Sequence, residues 1–218
     1  MKLFDLSLYL VLDPGLCART GMVETARRAV AGGATMVQLR DKEASSERMV
    51  RTGHALKSAL SGTGAKLIVN DDVEAALAIG ADGVQIGQSD WSATDARARL
   101  GPAAIIGVTV ETPELARLVD PEVVDYVGAG PVFATSTKPD HKQPVGFAGL
   151  AAQVAASPVP AVAIGGLKAE HVTEVLAAGA EGIAVVSAIC GQPDPERAAR
   201  SLWAEIAVVR WLGEGHSA

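Results

Sequence analysis

The stretch Lys66-Leu67-Ile68-Val69-Asn70-Asp71-Asp72 shows how this chain is built. Its apolar, β-branched centre, residues 67–69, is typical of a buried strand in a parallel sheet. The run ends in an amide and two carboxylates, which therefore follow the carboxyl end of the strand, where α/β folds bind ligands. A purely structural interpretation also exists, because Asp72 suits the N-cap of a helix that begins near Val73.

The same alternation of apolar strands and helices runs through the whole chain. Strands are predicted at residues 8–12, 35–39, 67–69, 83–86, 104–108, 124–127, 160–164 and 182–186, and helices at 21–31, 46–60, 73–79, 94–100, 113–119, 148–156, 169–178 and 196–211. Eight such units predict a single-domain (β/α)8 TIM barrel over residues 1–218, with a frayed tail from about residue 213. A doubly wound open sheet is the alternative. It requires a glycine-rich phosphate fingerprint after the first strand, where the chain has Asp13-Pro14-Gly15.

Composition narrows the class of protein. The 218 residues are 49% hydrophobic but only 4% aromatic, which predicts one domain with an aliphatic core. A net charge of -6 argues against a nucleic-acid surface. Cys17 and Cys190 lie far apart without metal-ligand spacing, which indicates reduced thiols in a cytoplasmic protein. We expect no signal peptide and no membrane span. The sequence allows an oligomer without specifying one.

An anion site is predicted directly after the second strand. Gln38, Arg40 and Lys42 occupy alternate positions, which point the same way along an extended chain. Two cations and an amide donor suit a phosphate or a diphosphate. A solvated loop without a ligand is the competing interpretation.

Two carboxylates on neighbouring strand ends predict a metal beside this anion site. Asp71 follows the third strand and Asp90 follows the fourth. Mg²⁺ commonly binds one or two carboxylates together with substrate phosphate oxygens and waters. The competing interpretation is that Asp90 caps the next helix, a role that Ser92 could also fill.

A second anion site is predicted on the opposite strands. The long stretch 128–139 after strand six contains Thr135, Ser136 and Thr137, followed by Lys138. Gly165-Gly166 follows strand seven, and Val186-Ser187 follows strand eight. The loops after these two strands frequently form a phosphate site in TIM barrels.

The strand ends lack an obvious proton-transferring group. None of the four histidines follows a strand directly, neither cysteine has a histidine nearby, and Lys66 begins a strand instead of ending one. The sequence therefore favours chemistry without a general base or a Schiff-base lysine, such as departure of a metal-bound diphosphate.

Several motifs together resemble the thiamine phosphate synthase family over nearly the whole chain. The matching segments are Gln38-Leu39-Arg40-Asp41-Lys42, Val69-Asn70-Asp71-Asp72, Gly83-Val84-Gln85-Ile86-Gly87-Gln88-Ser89-Asp90, Ile106-Gly107-Val108-Thr109, Gly128-Ala129-Gly130-Pro131-Val132-Phe133, Thr135-Ser136-Thr137-Lys138, Ile164-Gly165-Gly166 and Val185-Val186-Ser187-Ala188-Ile189. Each segment alone is weak, but their order and spacing are specific. The resemblance implies that 4-amino-5-hydroxymethyl-2-methylpyrimidine diphosphate loses diphosphate to the nitrogen of a thiazole phosphate, which gives thiamine phosphate.

The resemblance also implies roles for individual residues. The pyrimidine diphosphate would contact Gln38, Leu39, Arg40, Asp41, Lys42, Asn70, Thr109 and Lys138, among which Arg40, Asn70, Thr109 and Lys138 would be catalytic. The thiazole phosphate would contact Thr135, Ser136, Thr137, Gly166, Val186 and Ser187. Asp71 and Asp90 would bind one Mg²⁺ ion. Position 109 is usually Ser in the family, and Thr keeps the hydroxyl while adding a methyl group to the pyrimidine pocket.

Two other functions fit the same barrel. A thiazole tautomerase would bind thiazole phosphate and use a proton-transferring residue, and a non-catalytic thiamine phosphate or phosphate sensor would not need its metal ligands. The retained Arg40, Lys42, Asn70, Asp71 and Asp90 favour the synthase.

Overall fold

The computed structural model describes residues 4–87, 91–135, 137 and 142–213, and its strands form a closed barrel. The eight strands are parallel and follow one another around the barrel in sequence order: β1 (Leu8–Val11), β2 (Met36–Leu39), β3 (Lys66–Asn70), β4 (Gly83–Ile86), β5 (Ile105–Val110), β6 (Tyr126–Ala129), β7 (Ala161–Ile164) and β8 (Gly182–Val185). The ring closes where Leu8 of β1 pairs with Ile183 of β8. The predicted (β/α)8 TIM barrel is confirmed.

A helix follows each strand along the chain. These helices are α1 (Met22–Ala31), α2 (Ser46–Ala59), α3 (Val73–Ile79), α4 (Ala93–Leu100), α5 (Pro113–Arg117), α6 (Gly146–Ala156), α7 (Val172–Ala177) and α8 (Pro195–Gly213). A short 3₁₀ turn, Ala169–His171, precedes α7, so the single helix predicted over residues 169–178 is divided. None of the helices among the described residues has both the length and the apolar character needed to cross a bilayer.

Side-chain caps explain where several helices begin. Ser45 Oγ accepts a hydrogen bond from the Arg48 amide at the start of α2, and Asp72 Oδ1 accepts one from the Ala75 amide at 2.8 Å at the start of α3. The predicted capping role of Asp72 is therefore confirmed. Ser92 is the N-cap of α4 and accepts a hydrogen bond from the Asp95 amide at 3.0 Å.

Alternation along the strands divides the buried residues into two layers. Tyr9, Met36 and Ile68 belong to the cluster inside the barrel, whereas Leu10 and Leu39 belong to the larger cluster between the barrel and its helices. Successive residues of one strand therefore point alternately into the barrel and toward the helices. The same alternation decides which side chains reach the cavity at the carboxyl ends of the strands.

The largest difference from the predicted boundaries concerns β6. The sequence predicts this strand at residues 124–127, but it begins at Tyr126 and continues through Gly128 and Ala129. The amide of Val124 instead bonds to Asp120 O at 2.9 Å, which closes a turn before the strand. The irregular segment after β6 therefore begins at Gly130.

Candidate active site

A cavity of about 460 Å³ lies at the carboxyl ends of the strands. This volume is typical of a small-molecule site. Its walls include side chains or backbone of all eight strands or the segments that follow them: Tyr9, Gln38, Arg40, Lys42, Asn70, Asp71, Gln85, Gly87, Thr109, Glu111, Gly128, Gly130, Pro131, Thr135, Thr137, Lys142, Val162, Ile164, Gly165, Gly166, Leu167, Ala184, Val185, Val186 and Ser187. The structure thus brings together most of the residues that the sequence singles out.

The segment after β2 separates into residues that reach the cavity and residues that do not. Gln38, Arg40 and Lys42 lie on its wall, as expected from their alternate positions. Leu39 is fully buried in the cluster outside the barrel, and Asp41 is buried on the same side. The pleat turns the side chains of Leu39 and Asp41 away from the cavity, so the predicted contact of these two residues with the pyrimidine diphosphate would have to come from their backbone.

Asp41 has a structural partner instead of a ligand. Its Oδ2 accepts a hydrogen bond from Arg48 Nη2 at 2.6 Å, and its Oδ1 accepts one from the Glu43 amide at 3.2 Å. The Asp41 side chain is only 2% exposed, so the carboxylate is shielded from water and depends on these donors. The pair ties the turn that carries Arg40 and Lys42 to the first turn of α2.

The ends of β3 and β4 meet at the carboxylate of Asp71. Asn70 Nδ2 donates to Asp71 Oδ2 at 2.5 Å, and the Gly87 amide donates to Asp71 Oδ1 at 3.2 Å. The backbone of Asp71 has φ 61, a left-handed conformation that is uncommon outside glycine. These contacts hold the carboxylate on the cavity wall beside Asn70.

The donor set at this point fits a hard divalent cation. A carboxylate on the wall of a cavity that also carries Arg40 and Lys42 can share Mg²⁺ with a substrate phosphate. No group of three or more candidate metal-binding side chains occurs among the described residues, so a fully protein-built metal centre is not found in that part of the chain. The predicted second ligand, Asp90, lies outside the described residues.

The segments after β6 and β7 form the opposite wall. Phe133 donates its amide to Gly165 O at 3.0 Å, and Val132 donates to Ile164 O at 2.9 Å. Gly165 and Gly166 have φ values of 107 and 64, and a Cβ atom at Gly166 would stand 2.8 Å from Phe133 Cβ. Glycine is thus required for the close approach of the two segments.

Hydroxyl groups and turns complete this wall. Thr135 Oγ1 lies 2.8 Å from Thr137 Oγ1 and accepts from the Thr137 amide at 3.3 Å. Val186 and Ser187 line the cavity at the start of the turn after β8, where the Cys190 amide donates to Val186 O at 2.8 Å. Ser136 and Lys138, which the sequence adds to these sites, lie outside the described residues.

Polar side chains also form the floor of the cavity. Gln38 Nε2 donates to the Tyr9 hydroxyl at 2.9 Å. The Tyr9 hydroxyl in turn lies 3.0 Å from the Tyr126 hydroxyl. Gln85 Nε2 donates to Thr109 Oγ1 at 3.2 Å. Burial raises the pKa of both tyrosines well above the ordinary value, so both are neutral hydroxyls at physiological pH.

Four polar side chains on the cavity wall were not assigned to a site by the sequence analysis. Tyr9 and Gln85 interrupt apolar strands with polar atoms, and Gln85 could have been found as the one amide within Gly83–Ile86. Glu111 stands two residues after Thr109, on the same side by alternation, and Lys142 follows the long segment after β6. Glu111 adds a carboxylate to the cavity wall that the sequence analysis did not name.

Closure of the barrel also brings the two cysteines together. Cys17 and Cys190 are buried free thiols, and a hydrogen bond from Cys190 lowers the pKa of Cys17 to about 7. Neither thiol lines the cavity among the described residues.

Comparison with known proteins shows the family to which the chain belongs. Residues 8–189 match the family model described as thiamine monophosphate synthase. A thiamine-phosphate synthase of Xanthobacter autotrophicus is 49% identical over 209 residues, which cover 96% of this chain and 99% of the relative. The Azorhizobium caulinodans thiamine-phosphate synthase is 50% identical over 199 residues, which cover 91% of this chain and 94% of the relative. The solved structure of the thiamine phosphate pyrophosphorylase of Pyrococcus furiosus is 37% identical in sequence, with a TM-score of 0.84. The match covers 94% of this chain and 96% of that chain.

Proposed function

The chain belongs to the thiamine monophosphate synthase family, and from that premise we propose that it joins an aminopyrimidine diphosphate to a thiazole phosphate. Its relatives make it a transferase. The substrates proposed are 4-amino-5-hydroxymethyl-2-methylpyrimidine diphosphate and a thiazole phosphate, and the products are thiamine phosphate and diphosphate. The free thiols and acidic composition suit a reaction in the cytoplasm.

The division of the cavity into two unlike walls supports this proposal most directly. One wall carries Arg40 and Lys42 beside the carboxylate of Asp71, which suits a diphosphate together with a cation. The other carries the Thr135 and Thr137 hydroxyls and the Gly165-Gly166 backbone, which suit a monophosphate. A reaction between a diphosphate and a monophosphate needs both walls.

The side chains of this chain would act mainly by binding and charge stabilisation. Arg40 and Lys42 would hold the diphosphate as its C–O bond to the pyrimidine methylene breaks, and the electron pair of that bond leaves with the diphosphate. Asn70 would accept a hydrogen bond from the pyrimidine amino group through its Oδ1, because its Nδ2 already donates to Asp71. The thiazole nitrogen then forms a C–N bond to the methylene carbon.

A positively charged, carbocation-like methylene would develop in the transition state, because the pyrimidine ring can release electrons toward it. Mg²⁺, when bound by Asp71 and Asp90 together with diphosphate oxygens, would supply positive charge to the leaving group. Asp71 is well suited to this contact, since Asn70 and Gly87 orient its carboxylate. The attacking nitrogen carries a lone pair already, so no residue needs to remove a proton from it.

A thiazole tautomerase is the second candidate, and Glu111 is the observation that favours it. This carboxylate lines the cavity and could transfer a proton to or from a bound thiazole phosphate. The cationic wall around Arg40 and Lys42 has no evident purpose in that reaction, because a tautomerase binds no diphosphate.

One assay separates the candidates. The purified chain is mixed with both substrates and Mg²⁺, and diphosphate release and thiamine phosphate formation are followed together. Stoichiometric formation of both products supports the proposed function. Isomerisation of thiazole phosphate in the absence of the pyrimidine would identify a tautomerase, and binding without any conversion would identify a sensor.

A further inference from the structure

Glu111 lies on the cavity wall directly after β5, and the fold anchors the chain on both sides of it. Val110, the residue before it, is fully buried in the cluster outside the barrel, so alternation turns Glu111 toward the cavity. Thr112, the residue after it, is the N-cap of α5 and accepts a hydrogen bond from the Leu115 amide at 3.3 Å. The Glu111 backbone is therefore held between the end of the strand and the first turn of the helix.

Within the described part of the chain, the Glu111 carboxylate has neither a hydrogen-bond donor nor a cation as its partner. The residue is half-buried, so its charge stays accessible from the cavity. The neighbouring carboxylates are engaged. Asp71 accepts hydrogen bonds from two donors, and Asp41 is paired with Arg48 and points away from the cavity. Glu111 is thus a carboxylate that the described wall holds ready for a ligand.

The order of the strands around the barrel puts Glu111 between the two walls of the cavity. The diphosphate wall follows β2 and β3, whereas the thiazole phosphate wall follows β6, β7 and β8. On one side β5 stands between these walls, and the Gly130 amide, at the start of the thiazole phosphate wall, donates to Val110 O at 3.3 Å. On the other side, β1 and the described segment after it contribute only the neutral Tyr9 to the cavity.

In the proposed reaction, positive charge arises where the two substrates meet. The electron pair of the C–O bond leaves with the diphosphate, so the pyrimidine methylene becomes electron-poor. The thiazole nitrogen then gives its lone pair to this carbon and becomes a positively charged ring nitrogen, and no proton is lost. Both substrates are anions before the reaction. A carboxylate at the boundary of the walls therefore stabilises the transition state and the product more than the bound substrates.

We propose that Glu111 is a catalytic residue whose carboxylate stabilises the positive charge that passes from the pyrimidine methylene to the thiazole nitrogen. The inference rests on the proposed function and adds one residue to its chemistry. It gives Glu111 no proton to transfer, since the attacking nitrogen has none to lose. It also separates Glu111 from the metal, because β4 stands between β3 and β5 and puts the backbones of Asp71 and Glu111 roughly 10 Å apart.

Glu111→Gln removes the charge and keeps the size of the side chain. In single turnovers with both substrates and Mg²⁺, the rate of thiamine phosphate formation should fall by about ten- to a hundredfold, the effect of one charge-assisted contact. Single turnovers are measured because product release limits the steady-state rate of many enzymes. The Kd values of the two substrates should not rise, since loss of a negative charge does not weaken the binding of anions, and the Mg²⁺ requirement should stay unchanged.

Binding of the product tests the charge directly. Thiamine phosphate carries the charged ring nitrogen, whereas its deaza analogue, in which carbon replaces this nitrogen, has the same shape without the charge. Calorimetry should show that Glu111→Gln binds thiamine phosphate about tenfold more weakly than the wild type does, with less than about a twofold change for the deaza analogue. Glu111→Asp keeps the charge and should restore part of the preference for the charged product.

Glu114→Gln is the matched control, because it makes the same substitution three residues later, on α5. Glu114 is exposed, lies outside the described cavity wall and forms an ion pair with Arg117 at 3.5 Å. This variant should leave the single-turnover rate and the affinities for both product compounds unchanged. Thermal unfolding of each variant is the control for folding, and Glu111→Gln should unfold like the wild type because its carboxylate has no partner among the described residues.

The outcomes distinguish the role of Glu111 from the function of the chain. A wild type that forms no thiamine phosphate from the two substrates would overturn both, and so would one that only isomerises thiazole phosphate and loses this activity in Glu111→Gln. If the wild type forms thiamine phosphate, two results would overturn the role of Glu111 and leave the function standing. These are an unchanged single-turnover rate in Glu111→Gln, and equal losses of affinity for thiamine phosphate and its deaza analogue.

Discussion

Gly166 is the position at which one added methyl group tests the thiazole phosphate wall most sharply. Its φ of 64 is a left-handed conformation, in which an L-alanine costs about 1–2 kcal/mol relative to glycine. In Gly166→Ala the new Cβ would also stand 2.7 Å from Ala134 O and 2.8 Å from Phe133 Cβ. The Phe133 Cβ atom would have to move by roughly 0.7 Å to restore an ordinary contact of ~3.5 Å.

That movement displaces the segment that leads directly to Thr135 and Thr137. A misplacement of about 1 Å can cost about a hundredfold in rate, and one charge-assisted hydrogen bond is worth about 1.5–3 kcal/mol. We therefore expect KM for the thiazole phosphate to rise by about ten- to a hundredfold in Gly166→Ala. KM for the pyrimidine diphosphate should change by less than about threefold, because a shift confined to the thiazole phosphate wall breaks no charge-assisted hydrogen bond on the diphosphate wall.

Gly62→Ala provides the matched control for backbone strain. Gly62 lies in the loop that precedes β3, at the end of the barrel opposite to the cavity. Its φ is 76, and a Cβ atom there would meet nothing within 4 Å. Gly62→Ala should lose about 1–2 kcal/mol of unfolding free energy, a Tm decrease of about 2–8 °C, and Gly166→Ala should lose more, because its Cβ also displaces packed neighbours. Only Gly166→Ala should lose thiazole phosphate affinity. Equal kinetics in the two folded variants would refute the assignment of the phosphate site to this wall.

Three further predictions concern charge and burial. Arg40→Ala should weaken use of the pyrimidine diphosphate by about ten- to a hundredfold, and steady-state kinetics showing equal losses for both substrates would contradict a diphosphate contact. Asp71→Asn and Asp90→Asn should each raise the Mg²⁺ concentration needed for turnover, and the double variant should turn over little more slowly than the slower single variant. If a Mg²⁺ titration showed multiplicative losses of turnover rate at an unchanged Mg²⁺ requirement, the two aspartates would share no ion. Gln153→Leu should increase the free energy of unfolding by about 1–3 kcal/mol, because both polar atoms of this buried amide lack partners among the described residues; an unchanged or lower midpoint in denaturant would show that the amide is satisfied.

The fold was predictable because its signals are local and repeated. Apolar runs such as residues 67–69 end in polar residues, and caps such as Asp72 lie where the next helix begins. Boundaries failed where a turn resembles a strand, as at Val124, whose amide closes a turn with Asp120. β-branched residues suit either structure, and only the register of β6 against its neighbours decides between them.

The site was predictable where alternation alone decides which way a side chain points. Gln38, Arg40 and Lys42 on the cavity wall follow from that rule, whereas the side chains of Leu39 and Asp41, which the resemblance adds to the same segment, point away from the cavity. Contacts across the barrel could not be deduced in the same way. The row from Gln38 to Tyr126 joins β2 to β6 through β1, and no local pattern reports which strands face each other inside a barrel.

Turnover with both substrates, measured as a function of Mg²⁺, tests the central claim most directly. The account predicts that diphosphate and thiamine phosphate form in equal amounts, that neither forms when one substrate is omitted, and that chelation of Mg²⁺ stops the reaction. Thiazole phosphate isomerisation without the pyrimidine, or tight binding of both phosphates with no diphosphate released, would contradict it.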